Sequence, residues 1–391
     1  MLTIKKFIKY TFLYLLYYPI TNTEYRRSLI NILIFKLKYE KQNTLCFYDS
    51  TISQHSFSHL LIDRYTLKEK VVLFAGDPDH PAFKSKNPNL ITIYLNRDFK
   101  ILFLLLNIKL LITFSSGFPK VFKRNNMHLV HLFHSLVSIN FTYDTGSFDA
   151  YDTFFAVGPH HIEELNTMSR IRNWKDKTFL KVGYPKLQKI VRISNKDFDK
   201  KEKKTIIFAP SWGEQNALRL HGLEIAHRIL RMNYELIIRP HPLSFKYDKN
   251  IINQLLSIVE QHSDCYMDNP DNNSFSSLLK ADLMISDYSG VAYEYAFGLL
   301  RPVLFLDTPP KINNNSEIEK QKAPMENTSR DKIGKICNIT ELESSIHSIL
   351  SNPQRAREIE VIREKYLFNP RNSIDIAIDE INKLKALKMP Y

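Results

Sequence analysis

Residues 234–242 read YELIIRPHP, an apolar run that ends on Arg239 and His241, each followed by proline. Proline has no N–H for a strand ladder, so punctuation alone explains the backbone. The side chains offer more: arginine carries a permanent planar fork that matches phosphate oxygens, and histidine adds a donor that titrates near neutrality. A second stretch, ADLMISDYSGVAYEYAFGLLRPVLFLD (281–307), sets Ser286, Asp287 and Ser289 between an apolar run and a helical segment. Such residues cap helices, and a helix start is itself an anion site because its free N–H groups and positive dipole end point outward. Gly290 leaves the backbone open to a phosphate. Glu294, four residues on, shares its helix face and is in reach of sugar hydroxyls. Val291, Tyr295 and Gly298 fall on a neighbouring stripe expected to pack on a sheet.

A third stretch, HLVHLFHS (128–135), holds His128, His131 and His134. On a strand His131 points away from the other two, and on a helix the three spread over an arc, so neither geometry converges on one ion. His134 reads either as a satisfied structural histidine or as a general base. Asp77-Pro78-Asp79 has the look of a DxD metal motif but sits in a proline turn, and it is read as that turn. His160, His161, Glu163 and Glu164 follow Gly158-Pro159 at an expected helix start and read as capping residues. No metal and no cofactor is expected. There is no GxxxxGK[ST], no GxGxxG after a strand, no GxSxG and no HExxH, which argues against P-loop, dinucleotide, serine-hydrolase and zincin chemistry.

These residues need a frame, and the chain repeats one. Apolar runs that end in a glycine or a polar turn recur at 71–76, 110–117, 153–158, 179–183, 205–213, 234–240, 282–290 and 301–307. Runs that are apolar throughout indicate strands of parallel sheets buried on both faces, and ligands of such sheets bind at the strands' carboxyl ends. Ile101–Phe114 reads as a helix followed by a strand. The charge-dense ISNKDFDKKEKK (193–204) reads as a linker, and the tail from Asn352 reads as two helices split at Pro370, the second able to cross back. The expected fold is α/β and GT-B-like: two doubly wound Rossmann-like domains facing a cleft, with C-terminal helices. The expected parts are a basic aromatic segment (1–40), an N-terminal α/β domain (41–192), the linker (193–204) and a C-terminal α/β domain with C-terminal helices (205–391).

The chain of 391 residues carries a formal charge of +13, so an anionic partner is expected. Nucleic acid is not that partner, because the strongest basic cluster is N-terminal and the aromatics sit inside apolar runs. Three scattered cysteines form no disulfide framework and indicate a reducing, cytoplasmic compartment. The N-terminal run Tyr10–Ile20 is too short to span a bilayer and lacks a cleavage site. It is read either as an interfacial segment on an anionic membrane surface, placing the protein peripherally at the inner face, or as an amphipathic helix packed on its own domain.

SDYSGVAYEYAFGLLRP (286–302) is similar to the SDYSSxxFDFxxLxRP stretch of the CDP-glycerol glycerophosphotransferase family. VGYPK (182–186) resembles that family's GYPR turn, FAPSW (208–212) its YAPTW strand end, and IIRPHP (237–242) its RxHP element. The resemblance spans residues 128–307, with the motifs in order. Its WHG element appears here as LFHS, with Phe133 for tryptophan and Ser135 for glycine. Gly290 and Glu294 stand where serine and aspartate are usual. About the first 100 residues carry no such motif.

The resemblance implies transfer of a polyol phosphate from a CDP-activated donor, or another nucleotide-activated donor, to a hydroxyl of a glycan or lipid-linked acceptor in surface-polymer synthesis. It implies His134 as general base, Arg239 and His241 as the cationic side of the diphosphate site, and Ser211, Ser286, Asp287, Ser289, Gly290 and Glu294 as donor-binding residues. It implies metal-independent chemistry. A GT-B glycosyltransferase with a nucleotide-sugar donor is the alternative, because an anion site at a helix start serves any nucleoside diphosphate.

Overall fold

The computed structural model describes residues 22–40, 44–139, 143–194, 203–268, 275–310, 323–352 and 355–389. Among the described residues thirteen strands form two sheets, and every strand pair is parallel. The first sheet holds β1 (Leu45–Asp49), β2 (Val71–Ala75), β3 (Leu90–Tyr94), β4 (Leu110–Thr113), β5 (His128–Leu132), β6 (Thr153–Ala156) and β7 (Thr178–Lys181). Their order is β3-β2-β1-β4-β5-β6-β7. The second sheet holds β8 (Thr205–Phe208), β9 (Glu235–Ile238), β10 (Cys265–Met267), β11 (Leu283–Ser286), β12 (Val303–Leu306) and β13 (Gly334–Cys337). Its order is β10-β9-β8-β11-β12-β13. The order reverses beside β1 in one sheet and beside β8 in the other, which opens a crevice at the carboxyl ends of the flanking strands. All eight apolar runs became strands, and their side chains are almost wholly buried except on the edge strand β7.

The Ile101–Phe114 run folds as expected in kind: a kinked 3-10 segment, Arg97–Leu105, precedes β4. Helix α1 (Thr23–Lys38) buries Tyr25, Ser28, Ile32 and Phe35. Its Asn31 side chain donates to the Tyr94 carbonyl at 3.3 Å, so α1 covers the β3 edge of the first sheet. The Tyr10–Ile20 run and residues 195–202 of the expected linker lie outside the described residues.

Helix α2 (His55–Thr66) and helix α3 (Pro185–Ser194) flank the first sheet, and α4 (Gly290–Leu299) follows β11 in the second. The tail forms α5 (Arg355–Tyr366) and α6 (Ser373–Lys388), split as expected around Pro370. The split carries the chain back to the first half. Arg64 of α2 pairs with Asp375 at 2.8 Å, the Tyr65 hydroxyl meets the Ile378 carbonyl at 3.0 Å, and the Ile374 N–H donates to Gln188 at 2.6 Å. Gly183, with φ at +99°, makes this return passable: a Cβ there would stand 2.2 Å from the Phe368 carbonyl oxygen.

Candidate functional site

Strands β9, β8 and β11 lie side by side, so the loops after them share one edge. Arg239 donates its N–H to the Phe208 carbonyl at 2.8 Å, and Ala209 donates to Ile285 at 2.9 Å, which continues the ladder into those loops. Asp287 is wholly buried and accepts the N–H of Ser211 at 2.7 Å and of Ala217 at 2.9 Å. Burial raises its pKa and those N–H donors oppose the rise. The Ser286 hydroxyl donates to the Ala209 carbonyl at 2.6 Å.

These contacts correct one expectation. Ser286, Asp287 and Ser289 were expected to cap α4, yet Ser289 is its cap residue without a side-chain capping bond. The reason is that buried N–H groups at Ser211 and Ala217 need an acceptor, and Asp287 is the carboxylate that meets them. The first-turn N–H groups of α4 are thereby left without a side-chain acceptor from Ser289. Gly298 also departs from expectation. Its Cα–H side faces α3, where a Cβ would stand 2.4 Å from the Ile190 side chain.

Arg239 is nearly buried, with 10% of its side chain exposed, and its Nη1 pairs with Asp268 and donates to Ser277 Oγ at 2.8 Å. A guanidinium this enclosed requires a counter-charge. Asp268 was not foreseen, and it offsets the positive charge expected at this rim. His241 accepts the Leu243 N–H on Nδ1 at 3.2 Å, which places the proton of the neutral ring on Nε2. Its ring lies 6.0 Å from that of Trp212.

The first sheet contributes His134, two residues beyond β5. Its Nδ1 is 3.2 Å from the Tyr143 hydroxyl. Burial lowers its pKa below the ordinary histidine value. The Phe114 carbonyl opposes that fall, Lys186 adds to it, and Glu294 opposes it. Tyr143 and the Phe114 carbonyl thus hold the ring from two sides. The loop that carries His134 is held from several sides. His160 Nε2 meets the Leu136 carbonyl at 2.9 Å and His161 Nε2 meets Val137 at 3.0 Å. Glu164 accepts the Ile139 N–H at 2.6 Å and the Ser138 hydroxyl, and Glu326 accepts the Ser138 N–H at 3.0 Å. His160, His161 and Glu164 thus anchor this loop, in place of the capping role expected of them. Burial pushes Glu164 up to about 7 and Glu326 up to about 8.

His128 and His131 stay apart from His134. His128 Nε2 is 2.9 Å from Thr153 Oγ1, while His131 is wholly buried among the rings of Phe133, Phe148 and Tyr151. Asp77 accepts the Asp79 N–H at 3.0 Å, the turn expected of that stretch.

The two edges meet at α4. A Cβ added to Gly290 would stand 2.8 Å from Ser135 Oγ, so the helix start abuts the residue after His134. Glu294, one turn along, pairs with Lys186 at 2.7 Å. The Tyr184 hydroxyl is 2.7 Å from Glu294 Oε1 and 2.9 Å from the His134 carbonyl oxygen. Gly290 and Glu294 share a face as expected, and that face is turned to the first half of the chain.

Sequence reasoning passed over four residues here. Lys186 and Tyr184 stood inside the visible VGYPK stretch; Asp268 and Arg330 had no local signal. Arg330 is buried, with its guanidinium 4.0 Å over the Tyr288 ring, Nη2 donating to the Tyr288 hydroxyl at 2.7 Å, and Nε and Nη1 without a hydrogen-bond partner among the described residues.

Residues 63–311 match the model of the family described as CDP-Glycerol:Poly(glycerophosphate) glycerophosphotransferase. A teichoic acid poly(glycerol phosphate) polymerase of Bacillus spizizenii is 30% identical over 147 residues, 33% of this chain and 35% of that protein. A teichoic acid glycerol-phosphate primase of Bacillus subtilis is 28% identical over 166 residues, 40% of each. The chain therefore aligns with well under half the length of either relative. Among solved structures, the wall teichoic acid polymerase TagF superposes with a TM-score of 0.61 at 15% identity, over 95% of this chain and 97% of that one. A putative UDP-N-acetylglucosamine 2-epimerase from Listeria monocytogenes gives 0.58 at 13% identity, over 89% and 97%. At these identities the superpositions establish the two-sheet GT-B architecture.

Proposed function

The chain belongs to the CDP-glycerol:poly(glycerophosphate) glycerophosphotransferase family, and on that premise we propose that it transfers glycerol phosphate from CDP-glycerol to an acceptor hydroxyl in teichoic-acid-type polymer synthesis. The carrying observation is the closeness of Ser135 to Gly290, which sets the loop of His134 beside a helix start whose cap residue makes no side-chain capping bond. In the proposed step the acceptor oxygen attacks the phosphorus bonded to glycerol and gives its proton to the imidazole of His134. The bond from that phosphorus to the CMP oxygen breaks, and CMP leaves with the electron pair. The N–H groups of α4, Arg239 and His241 offset the charge that builds on the phosphates. Arg330 and Tyr288 extend the positive side of the same site. Residues 41–192 then act on the acceptor side and residues 205–391 on the donor side.

The second half of the proposal concerns location. Ile30, Leu33, Ile34 and Leu37 of α1 are 57%, 46%, 43% and 85% exposed, and Arg26, Arg27, Lys36 and Lys38 flank them. An apolar stripe bordered by cations fits the interface of an anionic leaflet, which suits a peripheral enzyme at the inner face of the membrane. Among the described residues no helix is long and apolar enough to cross a membrane.

The test is a thermal-shift series with CDP-glycerol, CDP-ribitol and UDP-N-acetylglucosamine, followed by release of CMP in the presence of a lipid-linked acceptor. Stabilisation by CDP-glycerol and acceptor-dependent CMP release support the reading. Stabilisation by the UDP-sugar alone overturns it in favour of a nucleotide-sugar donor.

A further inference from the structure

The carboxyl end of β1 carries a polar cluster that the transfer step does not use. Asp49 closes β1 and is wholly buried, His80 lies in the turn after β2 and is 1% exposed, and His55 opens α2 at partial exposure. Each offers one ligand atom, and the three atoms lie within 4.8 Å of one another. Among the described residues, Asp49 Oδ1 and His55 Nδ1 are screened from solvent without a hydrogen-bond partner, and the equally screened His80 Nε2 has only an ion-pair contact with Asp49. The His55 and His80 rings meet edge-on, with centroids 4.9 Å apart. Asp49 Oδ2 accepts the Ser58 hydroxyl and lies 3.3 Å from His80 Nε2. A buried polar atom left unmet is costly, so two of them beside a histidine held only by a 3.3 Å contact call for a partner.

We propose that Asp49, His55 and His80 bind one divalent transition-metal ion of the zinc type. Two imidazoles and a carboxylate suit zinc, whereas magnesium and calcium favour oxygen-only shells. Bonds of about 2.0–2.2 Å place tetrahedral ligand atoms roughly 3.3 Å apart. The cluster therefore has to contract, and the part-exposed His55 is the side chain placed to close it. Ser58 holds the carboxylate in orientation, as outer partners of metal ligands do. Capture at His80 Nε2 moves that ring's proton to Nδ1 and gives up the long 3.3 Å contact from the Ala82 N–H. Three protein ligands leave a fourth position for water or a ligand oxygen. Such an ion would tie the ends of β1 and β2 to the start of α2, on the carboxyl edge that also carries His134. The site stands on these residues alone and does not depend on the donor assignment.

The test uses the full chain, stripped with a chelator and dialysed. Zn²⁺ uptake is measured by elemental analysis after equilibrium dialysis, and Co²⁺ by its visible absorption. One Zn²⁺ retained per chain, a saturating Co²⁺ band at one equivalent, and affinity at least about 10-fold weaker in both His55→Ala and His80→Gln support the site. Circular dichroism and melting of both variants establish that they remain folded. Failure of the unmodified chain to take up stoichiometric Zn²⁺ overturns the proposal, as does uptake unchanged in both folded variants.

Discussion

The two sheet edges that meet at Gly290 and Ser135 are built differently. On the second edge the most polar residues of the motif are internal: Asp287 and Ser286 are wholly buried and serve the backbone at Ser211, Ala217 and Ala209. Arg239 is tied to Asp268. What this edge has left for an anion is chiefly backbone at the start of α4. On the first edge His134 stands beyond its strand on a loop anchored by His160, His161, Glu164 and Glu326, and the residue is half-buried. On the proposed reading, the motif's polar residues form the frame of the site and its reactive group comes from the facing half.

The largest effect that tests this contrast is His134→Ala. Loss of a general base is expected to lower kcat by about 10²–10⁴-fold with donor affinity retained, measured by steady-state kinetics beside calorimetric titration with CDP-glycerol. Loss of donor binding would show that His134 belongs to the donor edge. Arg239→Lys follows. A lysine cannot repeat the fork held by Asp268 and Ser277, and kcat/KM is expected to fall about 10²-fold in a folded protein. Asp287→Ala should act on stability first, because two buried N–H groups lose their acceptor at about 1–3 kcal/mol each. An unchanged urea midpoint would remove Asp287 from the frame.

A pH effect comes next. Glu164 and Glu326 have folded pKa values raised to about 7 and about 8 from an ordinary 4.5. Raised values mean that the fold favours their protonated forms. Their contribution to stability is therefore complete below about pH 4.5 and is lost as pH rises through 7 and 8. The double change to glutamine is expected to flatten urea midpoints between those limits. The smallest effect is electrostatic. Lys186 lowers the pKa of His134, so Lys186→Met should raise it and move the acid limb of kcat/KM to higher pH. An unmoved limb would separate His134 from the Lys186–Glu294 pair.

Much of the frame was legible because a strand buried on both faces must be apolar throughout, and eight such runs became strands. Strands β1, β3, β10 and β13 escaped notice and β5 read equally as strand or helix; β3, β10 and β13 are partly exposed edges where apolar continuity breaks down. His160 and His161 were legible as residues at a helix start and illegible as anchors, because the carbonyls they hold lie 24 positions earlier. Asp268 was hidden for the same reason: it lies 29 residues from Arg239, on the neighbouring strand's end.

Taken alone, the sequence determined the local elements: the parallel α/β alternation, the motif order from LFHS to SDYSG, and a helix start beside Ser289 and Gly290. Hydrophobic runs and turn residues act over a few positions, and a linear reading detects them. The tertiary structure decided which side chains are frame and which are free to react. It turned Asp287 inward, gave Arg239 its counter-charge, set Ser135 on Gly290, and gathered Asp49, His55 and His80 from three segments. Burial, charge pairing and unmet hydrogen bonds are set by neighbours in space, and strand order, not chain order, decides who those neighbours are.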